Sequence, residues 1–275
     1  MTASEASMSA AVADTTSAER ILLRKDDAGV AWLTLNRPAQ RNALSIALMT
    51  ALQAEVEAIA ADKSVKAVVI AGAGPAFCAG HDLREIRASP GRQHYERIFE
   101  QCSRLMLSLA RLPKPVIARV HGVATAAGCQ LVATCDLAVA AADARFATPG
   151  VNIGLFCSTP MVALTRAVGR KAAMEMLLTG DLLDARRARD LGLVNRVVPA
   201  DRLDEEVVAL ARQIAGKSPL ALAIGKEAFY RQAELGLAEA YAYASEVMTR
   251  NMLARDAEEG VDAFLEKRSP SWEGR

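Results

Sequence analysis

Three short apolar runs, Lys66–Ala71 (KAVVIA), Pro115–Val120 (PVIARV) and Leu137–Ala141 (LAVAA), recur with helix-patterned segments between them, and this repetition narrows the fold most. Each run is too short for a helix and too uniformly apolar for a strand with one wet face, so each reads as a buried strand. From Ser45 to about Ala61, Met49, Leu52, Val56 and Ile59 share one helical face while Glu55, Glu57 and Asp62 lie on others. Glu96–Leu112 and Ala127–Thr134 read as further helices. Strand–helix units of this kind imply an α/β fold, with a mainly parallel sheet covered by helices.

The ends of the chain break the pattern. Ile21–Lys25 and Val30–Leu35 suggest a hairpin around the turn-rich Asp26–Gly29, and Asn36-Arg37-Pro38 stops its second strand. After Pro199 only helices follow: Leu203–Ala215, Pro219–Leu235, Glu239–Ala254 and Ala257–Leu265. Tyr230, Tyr241 and Tyr243 lie along them, which makes this stretch a candidate for self-association. Residues 1–20 are rich in Ala, Ser and Thr and lack both an apolar segment and an Arg excess, so they read as a disordered leader. The expected division is a leader over 1–20, a core over 21–199 and a helical oligomerisation region over 200–275.

A chain of 275 residues fits one large core better than two full domains. Lys+Arg (33) nearly balance Asp+Glu (32), leaving no basic field for nucleic acid or anionic lipid. The longest apolar runs, such as Leu193–Val198, fall far short of the roughly 20 residues of a membrane helix, so a soluble protein with a small-molecule partner is expected. The cysteines at 78, 102, 129, 135 and 157 are odd in number and show no CxxC spacing. That argues against disulfides and zinc, and leads to the expectation of a reducing cytoplasm.

Four stretches, in order and spacing, resemble the enoyl-CoA hydratase/isomerase (crotonase) superfamily. They are Leu35–Pro38 with Asn42–Ser45; Ala76–Leu83 (AFCAGHDL); His121-Gly122 with Ala126–Leu131 (AAGCQL); and Glu175–Gly180 with Gly192–Asn195. The likeness runs from about Arg20 to the Phe264–Arg268 tail. Within the family, AAGCQL, Phe146–Val151 (FATPGV) and Gly154–Pro160 (GLFCSTP) resemble the subgroup of the third enoyl-CoA hydratase domain-containing protein. The resemblance implies a spiral of ββα turns, C-terminal trimerisation helices, trimers or dimers of trimers, and acyl-CoA thioesters as partners in fatty acid or acyl-CoA metabolism. No metal and no cofactor is implied beyond the coenzyme A of the substrate.

Family chemistry aims two backbone N–H groups at the thioester oxygen, where negative charge develops. By motif those donors are His81 and Ala127, the latter at a helix start whose dipole adds positive charge. Ala79, Gly80, Ala126 and Gly128 are small enough to let a thioester approach the backbone. The resemblance also implies contacts to the acyl or coenzyme A part from Ala43, Asp82, Leu83, Asn152 and Phe264, with Arg41 and a neighbouring subunit's Lys267 at the phosphates. Hydratases of the family carry two glutamates that hold and split water; this chain has Gln130 and Gly150 there. Neither exchanges a proton at neutral pH.

Other groups stay open. The His81 ring reads as a proton carrier or as a steric and hydrogen-bonding group, and Asp82 reads also as a helix N-cap. His121 reads as a core residue and Cys129 as packing. Asn152, Cys157 and Ser158 read as pocket or loop residues. Gly72-Ala73-Gly74 is not a nucleotide loop, because no Gly-Lys-Ser/Thr follows, and GxSxG is absent. Three readings remain: an acyl-CoA enzyme with an unconventional proton carrier or none, such as one for decarboxylation, thioester hydrolysis or isomerisation; a non-catalytic acyl-CoA binder; and a weak hydratase.

Overall fold

The computed structural model describes residues 20–275; residues 1–19, most of the expected leader, lie outside that range. An antiparallel hairpin opens it, β1 (Leu22–Asp27) and β2 (Val30–Leu35). Its turn is two residues, not the four from Asp26, because Ala28 and Gly29 both take positive φ (48° and 79°), which matches the twist of the flanking strands.

Three spiral turns follow α1 (Ile46–Ala61). The first holds β3 (Ala67–Gly72), β4 (Ala76–Cys78), α2 (Leu83–Ala88) and α3 (Arg92–Arg111); the second holds β5 (Val116–Val120), β6 (Val123–Thr125) and α4 (Ala127–Thr134). The third holds β7 (Leu137–Ala141), β8 (Arg145–Ala147), α5 (Ser158–Ala167) and α6 (Arg170–Thr179), and β9 (Leu183–Asp184), α7 (Ala185–Asp190) and β10 (Arg196–Val198) close it. The first strand of each turn joins a sheet ordered β1-β2-β3-β5-β7-β10, parallel from β2 onward. The second joins a smaller sheet, β4-β6-β8-β9. This is the α/β spiral of ββα turns that the resemblance implies.

Strand β3 shows why the runs are apolar. Val68 and Ile70 enter a core with Leu33, Leu48, Leu52, Phe77, Leu105 and Phe146. Ala67 and Val69 enter a second one with Leu203, Val207, Leu210 and Ala211 of α8 (Leu203–Ala215). Both faces are thus dry. The expected cut at residue 199 therefore passes through packing, since α8 covers the larger sheet. Only α9 (Pro219–Gln232), α10 (Leu237–Met252) and α11 (Arg255–Glu266) move away from it, leaving Phe229, Leu237, Leu253 and Phe264 exposed. Helix α3 begins at Arg92, before the expected Glu96, behind Gly91 as N-cap and with an Arg92–Glu96 ion pair across its first turn.

Candidate functional site

The small sheet and the loops at its edge hold the expected site together. The loop after β4 carries Ala79–Asp82, and the end of β6 runs through Thr125 and Ala126 into α4. Gly80, at φ 96°, is where they meet: a Cβ there would lie 2.9 Å from Ala126 Cβ and 3.4 Å from Ala127 N. Gly128 packs more closely still, since a Cβ would fall 2.1 Å from the Cys78 carbonyl oxygen. Only glycine allows these two backbones to touch.

The contact leaves two donors open. Leu44 N–H donates to Gly80 O (2.7 Å) and Asp82 N–H to Leu44 O (3.2 Å), so the N–H of His81 between them points the other way and meets no acceptor among the described residues. Ala126 donates to Ala147 O (2.9 Å) and sits at φ 50°, ψ −118°, a strained conformation for a residue with a side chain. That bend starts α4 with the Ala127 N–H likewise free of any acceptor among the described residues.

The segment from Arg37 to Ser45 clamps this loop, a role the motif alone did not reveal. Asn42, fully buried at φ 56°, accepts from Arg37 N–H (2.9 Å) and donates to Ala73 O and Ala76 O (2.8 Å each). Ala79 N–H donates to Arg41 O (3.0 Å). Arg37 donates to Ala43 O and pairs with Asp82 at 2.9 Å. Asp82 also accepts from the N–H groups of Arg84 and Glu85, so it caps α2, and its carboxyl is held below the usual range even against its own burial by the Arg37 hydrogen bond and these N–H groups.

Gln130 lies one turn into α4, buried, with its Oε1 3.8 Å from Cys102 Sγ. Gly150 sits in a 3-10 turn, Pro149–Ile153. A Cβ there would lie 2.6 Å from Leu155 O and 2.9 Å from Cys157 Sγ, so the loop has closed over the space a side chain would need. Burial pushes the thiols of Cys78, Cys102 and Cys129 up to about 12, and raises that of Cys157. Cys129 is wholly buried in the core, where packing suffices to explain it. His121, half-buried, bonds through Nε2 to Gly74 O (2.8 Å) and lies against Arg119, so it latches a loop where a core role was expected.

The remaining expected contacts are spread out. Arg41, Asn152 and Ser158 are exposed, and Leu83 is half exposed at the start of α2. Phe264 and Lys267 are exposed at the end of α11, with no hydrogen bond to residues 41–83. The His81 ring is buried edge-on to Phe99 of α3, with ring centroids 5.6 Å apart. Phe99 escaped the sequence reading because it falls beside the buried stripe of Ile98, Cys102 and Leu105.

A family model described as enoyl-CoA hydratase/isomerase matches residues 25–275. The chain belongs to the enoyl-CoA hydratase/isomerase family. Its fold superposes with a TM-score of 0.90 on an enoyl-CoA hydratase from Mycobacterium smegmatis, 58% identical, covering 92% of this chain and 99% of that one. The human enoyl-CoA hydratase domain-containing protein 3 structure gives the same score at 45% identity, over 92% of this chain and 100% of that one. By sequence, the human protein of that name is 47% identical over 89% of this chain and 80% of its own length. That name, and those of its rat and mouse counterparts, end in "mitochondrial", which overturns the expected cytoplasmic location. An odd set of cysteines without CxxC spacing does not tell one compartment with reduced thiols from another.

Proposed function

We propose that this family member binds an acyl-CoA thioester with its oxygen between the N–H groups of His81 and Ala127, and acts on the resulting enolate instead of adding water. The observation that carries this is the pair of acceptor-free N–H groups on two interlocked loops. Donors fixed in advance stabilise a developing oxyanion without reorganisation, and the start of α4 adds its dipole. Against hydration stand Gln130, whose amide exchanges no proton, and Gly150, which has no side chain.

The rest of the proposed site extends from these donors. Ala79 and Ala43 border the loop, Leu83 and Asn152 face the acyl path, and Arg41 meets the phosphate end of coenzyme A. Phe264 and Lys267 serve a neighbouring copy's site. Exposed Phe229, Leu237, Leu253 and Phe264 on α9–α11 (65%, 77%, 84% and 83%) support association of copies through this region as a trimer or a dimer of trimers.

Calorimetric titration with acyl-CoA thioesters, followed by product analysis over an acyl-CoA panel, tests the reading. Binding with turnover of unsaturated or branched thioesters, and little hydration, is the expected result. Binding without any product favours a non-catalytic carrier, which the loss of both carboxylates also fits. Absence of binding overturns the proposal.

A further inference from the structure

The His81 backbone has a place in the proposed site, but its imidazole has none. Both ring nitrogens are buried, and neither makes a well-formed hydrogen bond among the described residues, the Leu44 backbone standing near enough only to favour the charged ring slightly. Stripping water from a polar group without replacing it costs free energy, so such an orphan in a folded protein needs a reason. Burial also holds the ring below its ordinary histidine value. It is therefore neutral, with one nitrogen free to accept a proton.

Every other candidate is committed elsewhere. The Cys78, Cys102 and Cys129 thiols stay protonated, pushed to about 12 by burial. Asp82 is held by Arg37 and two N–H groups, and Glu85 accepts from Ile46 N–H at 2.8 Å. Among the titratable groups of residues 79–85 and of α4, only the His81 ring joins a basic form to an empty hydrogen-bonding capacity.

We propose that the His81 imidazole is the proton carrier of this site, taking the α-proton of a thioester seated on the His81 and Ala127 N–H groups and returning it to the acyl chain. The proposal rests on the acyl-CoA reading above. The α C–H bond breaks and its proton moves to the free ring nitrogen. Its electron pair forms a double bond to the thioester carbon, whose carbonyl pair moves to the oxygen held by the two N–H groups. The imidazolium then protonates the α- or γ-carbon, and the cycle closes with no oxidant or second substrate. A neutral imidazole is a modest base, so the substrate class is a thioester with an acidified α C–H, such as a β,γ-unsaturated acyl group. Phe99, an apolar ring edge-on to the imidazole and partly exposed on α3, keeps one edge of the imidazole in apolar surroundings.

The experiment incubates the full-length protein with but-3-enoyl-CoA in deuterated water and follows deuterium at the α-carbon, with affinity measured by calorimetry on the same samples. Wild type should exchange, and His81→Gln should lose at least about 100-fold of the rate while binding within a few-fold of wild type. His81→Asn, read the same way, serves if the glutamine variant does not fold. Wild-type exchange by a folded variant overturns the proposal, as does binding by wild type without exchange. Failure of wild type to bind the thioester sinks the acyl-CoA reading instead.

Discussion

Lys226 Nζ lies 2.6 Å from Asp136 Oδ2, and this buried pair ties the C-terminal helices to the spiral. Lys226, with only 7% of its side chain exposed, also donates to Leu109 O (2.9 Å) and Lys114 O (3.0 Å), joining α9 to the end of α3. Asp136 accepts in addition from Val116 N–H (2.7 Å) and Tyr230 OH (2.8 Å). Removing one member leaves the other charge buried and unpaired, which costs about 3–5 kcal/mol. Lys226→Met should therefore lower the unfolding free energy by that order in urea titrations, whereas Tyr230→Phe should cost only about 1 kcal/mol. Equal losses from both would show that the charge pair is not the anchor.

The clamp at Asn42 is expected to matter as much. Asn42→Ala strips three hydrogen bonds, one buried and two partly buried, and leaves Arg37 N–H, Ala73 O and Ala76 O without them. A loss of about 3 kcal/mol is expected, at about 1 kcal/mol per bond, with weakened thioester binding because the loop bearing the His81 N–H loses its support. Ala126→Gly should move the other way. It relieves a positive φ that costs about 1–3 kcal/mol, less the extra chain entropy of glycine, for a net gain of about 1 kcal/mol. Thermal unfolding of the two variants against wild type checks both signs.

Acid should destabilise the protein through two of its histidines. His81 and His121 are both held below their ordinary value of 6.5 by burial. The unfolded chain therefore binds more protons as pH falls below about 6.5, and stability drops from there until the folded values are passed. His81→Phe should flatten part of that slope between about pH 7 and about pH 5, the range in which histidine charges. Urea midpoints measured across this range decide the matter, and an unchanged slope would mean that the ring is solvated in the folded protein.

The large sheet was legible in the sequence because its central strands β3, β5 and β7 are buried on both faces, and uniform apolarity survives as a pattern. β4, β6 and β8 were not, since three residues give no periodicity, although they form the sheet on which the site rests. The two open donors could be placed through the family motifs, because the small residues around Gly80 and Gly128 taken alone read more readily as a turn and a tight helix contact. The clamp could not: Asn42 reaches partners 31 and 34 residues away, a side-chain arrangement that spacing does not encode. The same holds for Phe99 against His81, which are brought together only by the α2–α3 turn.

Hydration gives the last test. A general acid or base contributes on the order of 10²–10⁴-fold, so wild type should hydrate a short enoyl-CoA at least about a hundredfold more slowly than a relative with two glutamates, followed by loss of conjugated thioester absorbance. Simply restoring the carboxylates should not repair this. Gln130→Glu puts a carboxyl into a buried site beside Cys102, where desolvation favours its neutral form. Gly150→Glu is worse placed, because even its Cβ would stand 2.6 Å from Leu155 O and 2.9 Å from Cys157 Sγ. The turn must open before any side chain fits. Gly150→Ala alone should therefore cost about 1–3 kcal/mol by overpacking, and the double glutamate variant should be less stable than wild type without gaining hydratase rate. A double variant that folds well and hydrates quickly would show that this loop yields easily, and that the two lost carboxylates are all that separates this chain from a hydratase.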